Sequence, residues 1–282
     1  MPAVTVALDN ASPPSAKEDR RSPMRFNWIA CQPHCRGWVS AVGIVTSDTP
    51  KNFDAFAATR DLRGATVVLD SSGGSVNDAI ALGRRWRDLG MLTTVGTTVV
   101  TKGPHGARAR IEPDAYCESM CAFMLLSGTM RYVPDAAHVR VHQIWMGDRA
   151  EDAKAASYTA QDLMIVERDV GRLAQYTFDM GGAGELLSIA LSVPPWEDLR
   201  ELTPVEMRKT NLVTTDAVAD VLPRDDRSIS PAVATRGVKP VQDRFLAGVA
   251  EAGSAVAGGT RTAEALAPAG NTAAAAATQP QH

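Results

Sequence analysis

The chain has 282 residues, of which 45% are hydrophobic and 22% charged, and its formal net charge is −3. These values are ordinary for one good-sized globular domain with tails, and the slight negative charge argues against a nucleic-acid-binding protein, which typically has a basic surface. No apolar run approaches the roughly 18 residues of a transmembrane helix, so we expect no membrane span.

The two ends of the chain differ in composition from the middle. The first 25 residues hold four prolines and three acidic residues but no apolar stretch of the signal-peptide kind. We expect a disordered leader over residues 1–25 and, for the sequence as written, a cytoplasmic protein; a periplasmic one is the alternative if the true start lies upstream. Residues 224–282 are dominated by alanine, glycine, threonine and proline and predict a disordered tail. The predicted folded domain therefore spans residues 26–223.

Strands and helices alternate along the first half of this domain. Residues 38–45 and 66–70 predict strands, and the second run is continuously apolar, as in a strand buried on both faces. Helices are predicted from Thr49-Pro50 and after Ser75, the latter ending at Gly90. Residues 91–100 are strand-like, and residues 101–114 indicate a loop or short hairpin. This alternation predicts an α/β fold of βαβ units with a mostly parallel sheet.

The second half predicts one strand, a long helix and shorter elements. The strand covers residues 137–142, and an amphipathic helix runs from Tyr158 to about Met180. Its apolar stripe is wide enough to pack on a second copy or to cover its own sheet, so a homo-oligomer through helix 158–180 is one of two possibilities. A short helix at 185–191, a helical turn opening at Thr203-Pro204 and a closing strand at 212–214 complete the domain.

The stretch from Ser119 to Gly128 has a composition suited to nucleophilic catalysis. Ser119 precedes eight mostly apolar, helix-compatible residues and then Gly128, which predicts a buried helix with the serine at its start. A hydroxyl at this place can cap the helix. It can also attack a carbonyl, because the N–H of Met120 would point to where the oxyanion forms.

Three further features fall where such chemistry would need them. His142 ends the following strand, and Gly73-Gly74 follows an earlier strand at the carboxyl edge, where open α/β sheets place their sites. Asp198 follows the long helix and could orient the imidazole, with Glu197 as its competitor. Taken singly, paired glycines more often form a tight turn, a histidine at a strand end is more often a partly buried polar residue, and an acid such as Asp198 is more often solvated. Together they would supply a nucleophile, a base, an orienting acid and oxyanion donors.

Three sequence blocks resemble the ClpP/crotonase superfamily, above all the proteolytic subunit of the Clp protease and its bacterial relatives. They are Ser71-Ser72-Gly73-Gly74-Ser75, Ser119-Met120-Cys121-Ala122-Phe123-Met124-Leu125-Leu126 and Val141-His142-Gln143, within a similarity that covers residues 38–215. Two positions depart from the family pattern: Ser72 stands in place of its usual proline, and Cys121 in place of a small residue.

The resemblance implies a serine peptidase that acts on a peptide or protein substrate and needs neither cofactor nor metal. It places the nucleophile on Ser119, the base on His142 and oxyanion N–H groups on Gly74 and Met120, with Gly73 in the same substrate-binding loop. The family's acid lies about six residues before a proline that opens a short helix, and Asp198 stands in that relation to Pro204. The family's long helix joins subunits.

Two other functions are compatible with the sequence. A Ser–Lys peptidase would need a lysine with a depressed pKa, and none of the candidates, Lys102, Lys154 and Lys209, lies in a convincing apolar segment. A non-catalytic binding or scaffold protein that kept the fold is the second, because a fold alone does not determine function.

The four cysteines form two pairs of equal spacing, Cys31 with Cys35 and Cys117 with Cys121. Structural zinc sites favour tighter pairs, so a metal is poorly supported. A Cys117–Cys121 disulfide along one helix would be strained. A link from Cys31 or Cys35 to Cys117 is plausible in an exported protein, but free thiols are the expected state.

Overall fold

The computed structural model describes residues 20–30, 37–103, 106–146 and 157–222. The predicted tail at 224–282, most of the predicted leader, Cys31, Cys35 and Lys154 lie outside these residues. Within them the protein is a mixed α/β structure with three sheets and six α-helices. In chain order the elements are β1 (Arg25–Ile29), β2 (Trp38–Val42), α1 (Thr49–Ala57), β3 (Thr66–Asp70), α2 (Val76–Asp88), β4 (Leu92–Val95), β5 (Thr97–Gly103), β6 (Gly106–Glu112), β7 (Tyr116–Glu118), α3 (Met120–Leu125), β8 (Arg131–Tyr132), β9 (His138–Val141), α4 (Ala160–Asp179), α5 (Gly184–Leu191), β10 (Arg200–Glu201) and α6 (Pro204–Lys209).

The main sheet has five strands in the order β1-β2-β3-β4-β8. Strands β2, β3, β4 and β8 run parallel, while β1 pairs antiparallel with β2. The parallel part follows from the helices that separate its strands in sequence, since a parallel neighbour needs a crossover connection. Every residue of β3 is buried, as its continuous apolar run predicts. The prediction of a mostly parallel sheet is therefore confirmed.

The core packs α1, α2 and the serine-led helix α3 against this sheet. Phe53 of α1 and Trp86 of α2 are almost fully buried and meet edge to face, with ring centroids 6.1 Å apart. All six residues of α3 are buried. A small helix surrounded by core on all sides cannot shift without opening a cavity, so the core fixes the position of its first residue.

A second sheet lies beside the first and has the order β10-β9-β7. Strand β7 pairs parallel with β9 in a register that sets Glu118 opposite Arg140. Strand β10 pairs antiparallel with β9. A bridge between Ser71 and Cys117 joins β7 to the loop that leaves β3. This small sheet brings the ends of β3, β7 and β9 to one place.

Two sequence predictions about strands need correction. The strand-like run 91–100 is two strands, β4 and β5, separated at Gly96, and β5 forms the expected hairpin with β6. The closing strand expected at 212–214 is wrong. The N–H groups of Thr214 and Thr215 both donate to the single carbonyl oxygen of Arg131, so no ladder forms. The sequence did not indicate strand β10, which pairs with β9 at the edge of the second sheet.

Helix α4 is buried along only part of its length. A capping box of Thr159 and Asp162 opens it. Near its end Leu173 and Thr177 are buried, whereas near its start Leu163 and Met164 are 51% and 69% exposed. The C-terminal half of the helix therefore packs on its own domain, while Leu163 and Met164 leave apolar surface exposed near its start. None of the described helices combines the length and the apolarity that crossing a membrane requires.

Two arginines tie the ends of α3 and α4 together. Arg131 is 1% exposed and donates to the carbonyl oxygens of Leu126, Gly128, Met180 and Asn211. Arg87 donates to the first three of these and to Ser127. Burial lowers the pKa of Arg131 to about 10, so it still carries its charge at neutral pH. The C-terminal carbonyls of both helices thus find donors, which anchors the serine helix from its far end.

Candidate active site

Ser119 occupies the junction between β7 and α3 in a conformation that non-glycine residues rarely adopt. Its φ is +57° and its ψ −124°. Its N–H donates to the carbonyl oxygen of Arg140 at 2.8 Å, and its own carbonyl accepts the N–H of Ala122. Its side chain makes no hydrogen bond that caps the helix. The simplest structural explanation for a serine at this place, a helix cap, therefore does not hold, and strain of this kind is concentrated at functional sites.

The hydroxyl of Ser119 is instead paired with His142. The Nε2 atom of His142 lies 2.8 Å from Ser119 Oγ. With the ring proton on Nδ1, Nε2 accepts the hydroxyl hydrogen, which is the arrangement of a nucleophile and its general base. The structure thus brings together the two residues that the sequence assigned as nucleophile and base, and their roles stay predictions.

The environment of His142 keeps its imidazole neutral near pH 7. Burial lowers the pKa of His142 below its ordinary value, because the charged form loses hydration. A hydrogen bond with the backbone of Gln143 and the negative charge of Glu118 act in the opposite direction but do not cancel the effect. A neutral imidazole is the form that can take a proton from serine.

The glycine loop lies directly against Ser119. A Cβ added to Gly73 would stand 2.7 Å from Ser119 Cβ and 2.8 Å from the nitrogen of Met120, and Gly73 has a φ of +88°. Its N–H donates to Ser71 Oγ at 3.2 Å. Gly73 therefore lets the loop approach the nucleophile, while its own N–H is engaged within the loop; its predicted place in the substrate-binding loop stays a prediction.

The two predicted oxyanion donors, the N–H groups of Gly74 and Met120, are unpaired within the described part of the chain. Across the described residues, neither the N–H of Gly74 nor that of Met120 has a hydrogen-bond acceptor. Gly74 is exposed, with a φ of +127°, and Met120 follows the nucleophile directly. Unpaired N–H groups beside a nucleophilic serine are what a developing oxyanion requires.

Asp198 is not brought to His142. It lies exposed in the turn between α5 and β10, as does Glu197. Throughout the described residues no hydrogen bond joins Asp198 to the His142 ring, and the ion pairs of the structure do not include the two together. The orienting role assigned to Asp198 from the sequence therefore stays a prediction.

Glu118 is a site residue that the sequence reasoning missed. Only 16% of its side chain is exposed, and it accepts hydrogen bonds from Ser72 Oγ at 3.3 Å and from Arg140 at 3.4 Å. A glutamate beside the serine carries no signal by itself. Its partners come from β9 and from the glycine loop, so only the fold reveals the connection.

Cys117 and Cys121 form a disulfide, with Cα atoms 5.1 Å apart. The expectation of free thiols is wrong for this pair. The objection that both would lie on one helix fails because Cys117 belongs to β7, and the chain turns at Ser119 before α3 begins. Both residues are fully buried.

No protein-family model matches the chain, and no curated protein matches it in sequence. Among the described residues there is also no group of three histidine, cysteine, aspartate or glutamate side chains that could hold a metal ion. The geometry around Ser119 and the resemblance of the sequence blocks are therefore the basis for a functional proposal.

A cavity of about 320 Å³ lies elsewhere, lined by residues that include Tyr132, Met207 and Arg208. Neither Ser119 nor His142 lines it. It contains no paired nucleophile and base, so we place the candidate chemistry at the open surface beside Gly74 rather than in this cavity.

Proposed function

We propose that the protein is a serine hydrolase that cleaves peptide bonds in peptide or protein substrates. The observation that carries the proposal is the 2.8 Å contact between Ser119 Oγ and His142 Nε2. A strained serine that caps nothing, a neutral imidazole and two unpaired N–H groups support it.

The chemistry follows from these groups. Ser119 Oγ attacks the scissile carbonyl carbon while His142 Nε2 takes its proton. The carbonyl oxygen becomes an oxyanion, which accepts hydrogen bonds from the N–H groups of Gly74 and Met120; removing one such donor typically costs about 2.7–4 kcal/mol of transition-state stabilisation. His142 then gives its proton to the leaving amine, and water hydrolyses the acyl-serine by the same steps in reverse order.

Asp198 is the proposed third member of the site. Asp198 would join His142 if the turn between α5 and β10 moved toward the ring, and the family resemblance supports that role. In the structure the hydrogen-bond partner of the His142 ring is the hydroxyl of Ser119. The dyad of Ser119 and His142 is thus the minimal proposed machinery.

The proposal also covers the fold family, the oligomeric state and the compartment of the protein. A ClpP/crotonase-like domain is supported by the parallel sheet, the buried serine helix and the long α4. A homo-oligomer through α4 is supported by the exposure of Leu163 and Met164 near its start. The Cys117–Cys121 disulfide supports an oxidising compartment, such as the periplasm, over the cytoplasm.

A non-catalytic binding protein is the second candidate, and the separation of Asp198 from His142 is the observation that favours it. A Ser–Lys peptidase is not favoured, because the partner of the Ser119 hydroxyl is an imidazole.

Hydrolysis of a fluorogenic peptide library by the full chain tests the proposal. We expect cleavage by the unmodified protein, loss of cleavage in Ser119→Ala and His142→Ala, and unchanged cleavage in Ser192→Ala, whose exposed serine caps α5. Correctly folded protein without any cleavage would favour the binding protein.

A further inference from the structure

Three segments that supply the proposed chemistry meet at one side chain. Glu118 is the residue before Ser119, and its N–H donates to the carbonyl oxygen of Ser71 at 2.9 Å. Its carboxylate accepts one hydrogen bond from Ser72, next to the paired glycines, and one from Arg140, two residues before His142. The nucleophile, the glycine loop and the strand that carries the base are therefore joined through Glu118.

The setting of this carboxylate differs from that of an ordinary surface ion pair. Its side chain is 16% exposed, whereas exposed pairs contribute little because water screens them. Arg140 also pairs with Glu201 at 3.3 Å, so it is held from both sides. The nearby Asp70 carboxylate is itself buried and bonded to Thr97, and burial raises its pKa. The negative charge of Glu118 acts on His142 in the direction that raises the pKa of its imidazole.

The proposed reaction needs such a charge. When His142 takes the serine proton it becomes an imidazolium, which a nearby negative charge stabilises. Asp198 is exposed, and within the described residues no hydrogen bond joins it to the His142 ring.

We propose that Glu118 is a positioning residue of this site, which holds the glycine loop and the His142 strand around Ser119 and stabilises the imidazolium that forms there. The inference rests on the proposed function for its kinetic part only. Its electrostatic part concerns the titration of His142, which can be measured whether or not the protein hydrolyses anything.

The test compares Glu118→Gln with a matched control, Glu201→Gln. Both variants remove one carboxylate from Arg140, but only the first lies beside Ser119. In Glu118→Gln we expect the pKa of His142, followed by the chemical shift of its ring protons, to fall by about half a unit or more. We also expect kcat to fall about tenfold with little change in KM, since the interaction is strongest in the transition state. Glu118→Asp should restore part of both, and Glu201→Gln should change neither.

An unchanged His142 titration in a folded Glu118→Gln protein would overturn the proposal, as would equal shifts in the two glutamine variants. If the unmodified protein shows no hydrolysis, the proposed function fails, while the titration still decides whether Glu118 acts on His142.

Discussion

Cys117 and Cys121 close a disulfide around Ser119, two residues before it and two residues after it. The bond joins β7 to α3 and spans the turn that holds Ser119 at a positive φ. It therefore constrains the same short segment whose conformation presents the hydroxyl to His142.

Removing this disulfide is expected to lower both stability and reactivity. Closing so short a loop restricts the unfolded chain by about 2 kcal/mol in the chain-entropy account, and the paired variant Cys117→Ala/Cys121→Ala should lose a similar amount of unfolding free energy. Denaturant unfolding with and without a dithiol reductant measures it, and mass spectrometry reports the bond. Equal stability of the oxidised and reduced proteins would contradict a constraining role.

Replacing Gly73 by alanine is expected to disable the site. The new Cβ would meet Ser119 and Met120 at 2.7–2.8 Å, and a φ of +88° is strained for alanine. We expect a loss of at least about 2 kcal/mol of unfolding free energy and of nearly all serine reactivity. Gly64→Ala is the matched control, because Gly64 also has a positive φ, +65°, but nothing within 4 Å of the added Cβ. That variant should lose about 1 kcal/mol and keep its reactivity.

The backbone strain at Ser119 can be measured directly. Glycine adopts a φ of +57° without the penalty that alanine meets, so Ser119→Gly should be about 1 kcal/mol more stable than Ser119→Ala despite the flexibility it adds to the unfolded chain. At Ser192, whose φ is −80°, the order should be reversed, with Ser192→Ala more stable than Ser192→Gly. Urea denaturation of the four variants decides the matter, and a more stable Ser119→Ala would show that the turn is unstrained.

The pH dependence of serine reactivity should report the titration of His142. Its pKa lies below the ordinary value because of burial, so the neutral base predominates at pH 6.5 and above. As the pH falls through the lowered pKa, His142 becomes protonated and the rate should drop tenfold per pH unit. A rate profile with its midpoint below pH 6.5 is expected; a midpoint above pH 7 would mean that another group, or a differently placed His142, controls the reaction.

The parts of the structure that the sequence predicts are those encoded locally. The apolar run of β3, the helix that ends at Gly90 and the serine before a buried helix each follow from neighbouring residues. The contact between Ser119 and His142 is long-range, yet it was predictable because both residues end elements that parallel pairing brings to one edge.

The remaining features depend on contacts that no local pattern contains. The Cys117–Cys121 disulfide depends on where the strand stops and the helix begins, a boundary of one or two residues. The importance of Glu118 depends on its register with Arg140. The apolar and β-branched run at 212–214 suggests a strand, but a strand needs a partner, and the carbonyl of Arg131 offers only one acceptor. The position of Asp198 depends on a surface turn, whose conformation its composition does not determine.

The proposed function requires that Ser119 be a nucleophile activated by His142. Treating the full chain with a fluorophosphonate and mapping the adduct by peptide mass spectrometry tests it most directly. We expect one adduct, on Ser119, which is absent in Ser119→Ala and forms at least about 100-fold more slowly in His142→Ala. No adduct on Ser119, or labelling of His142→Ala at the rate of the unmodified protein, would contradict it.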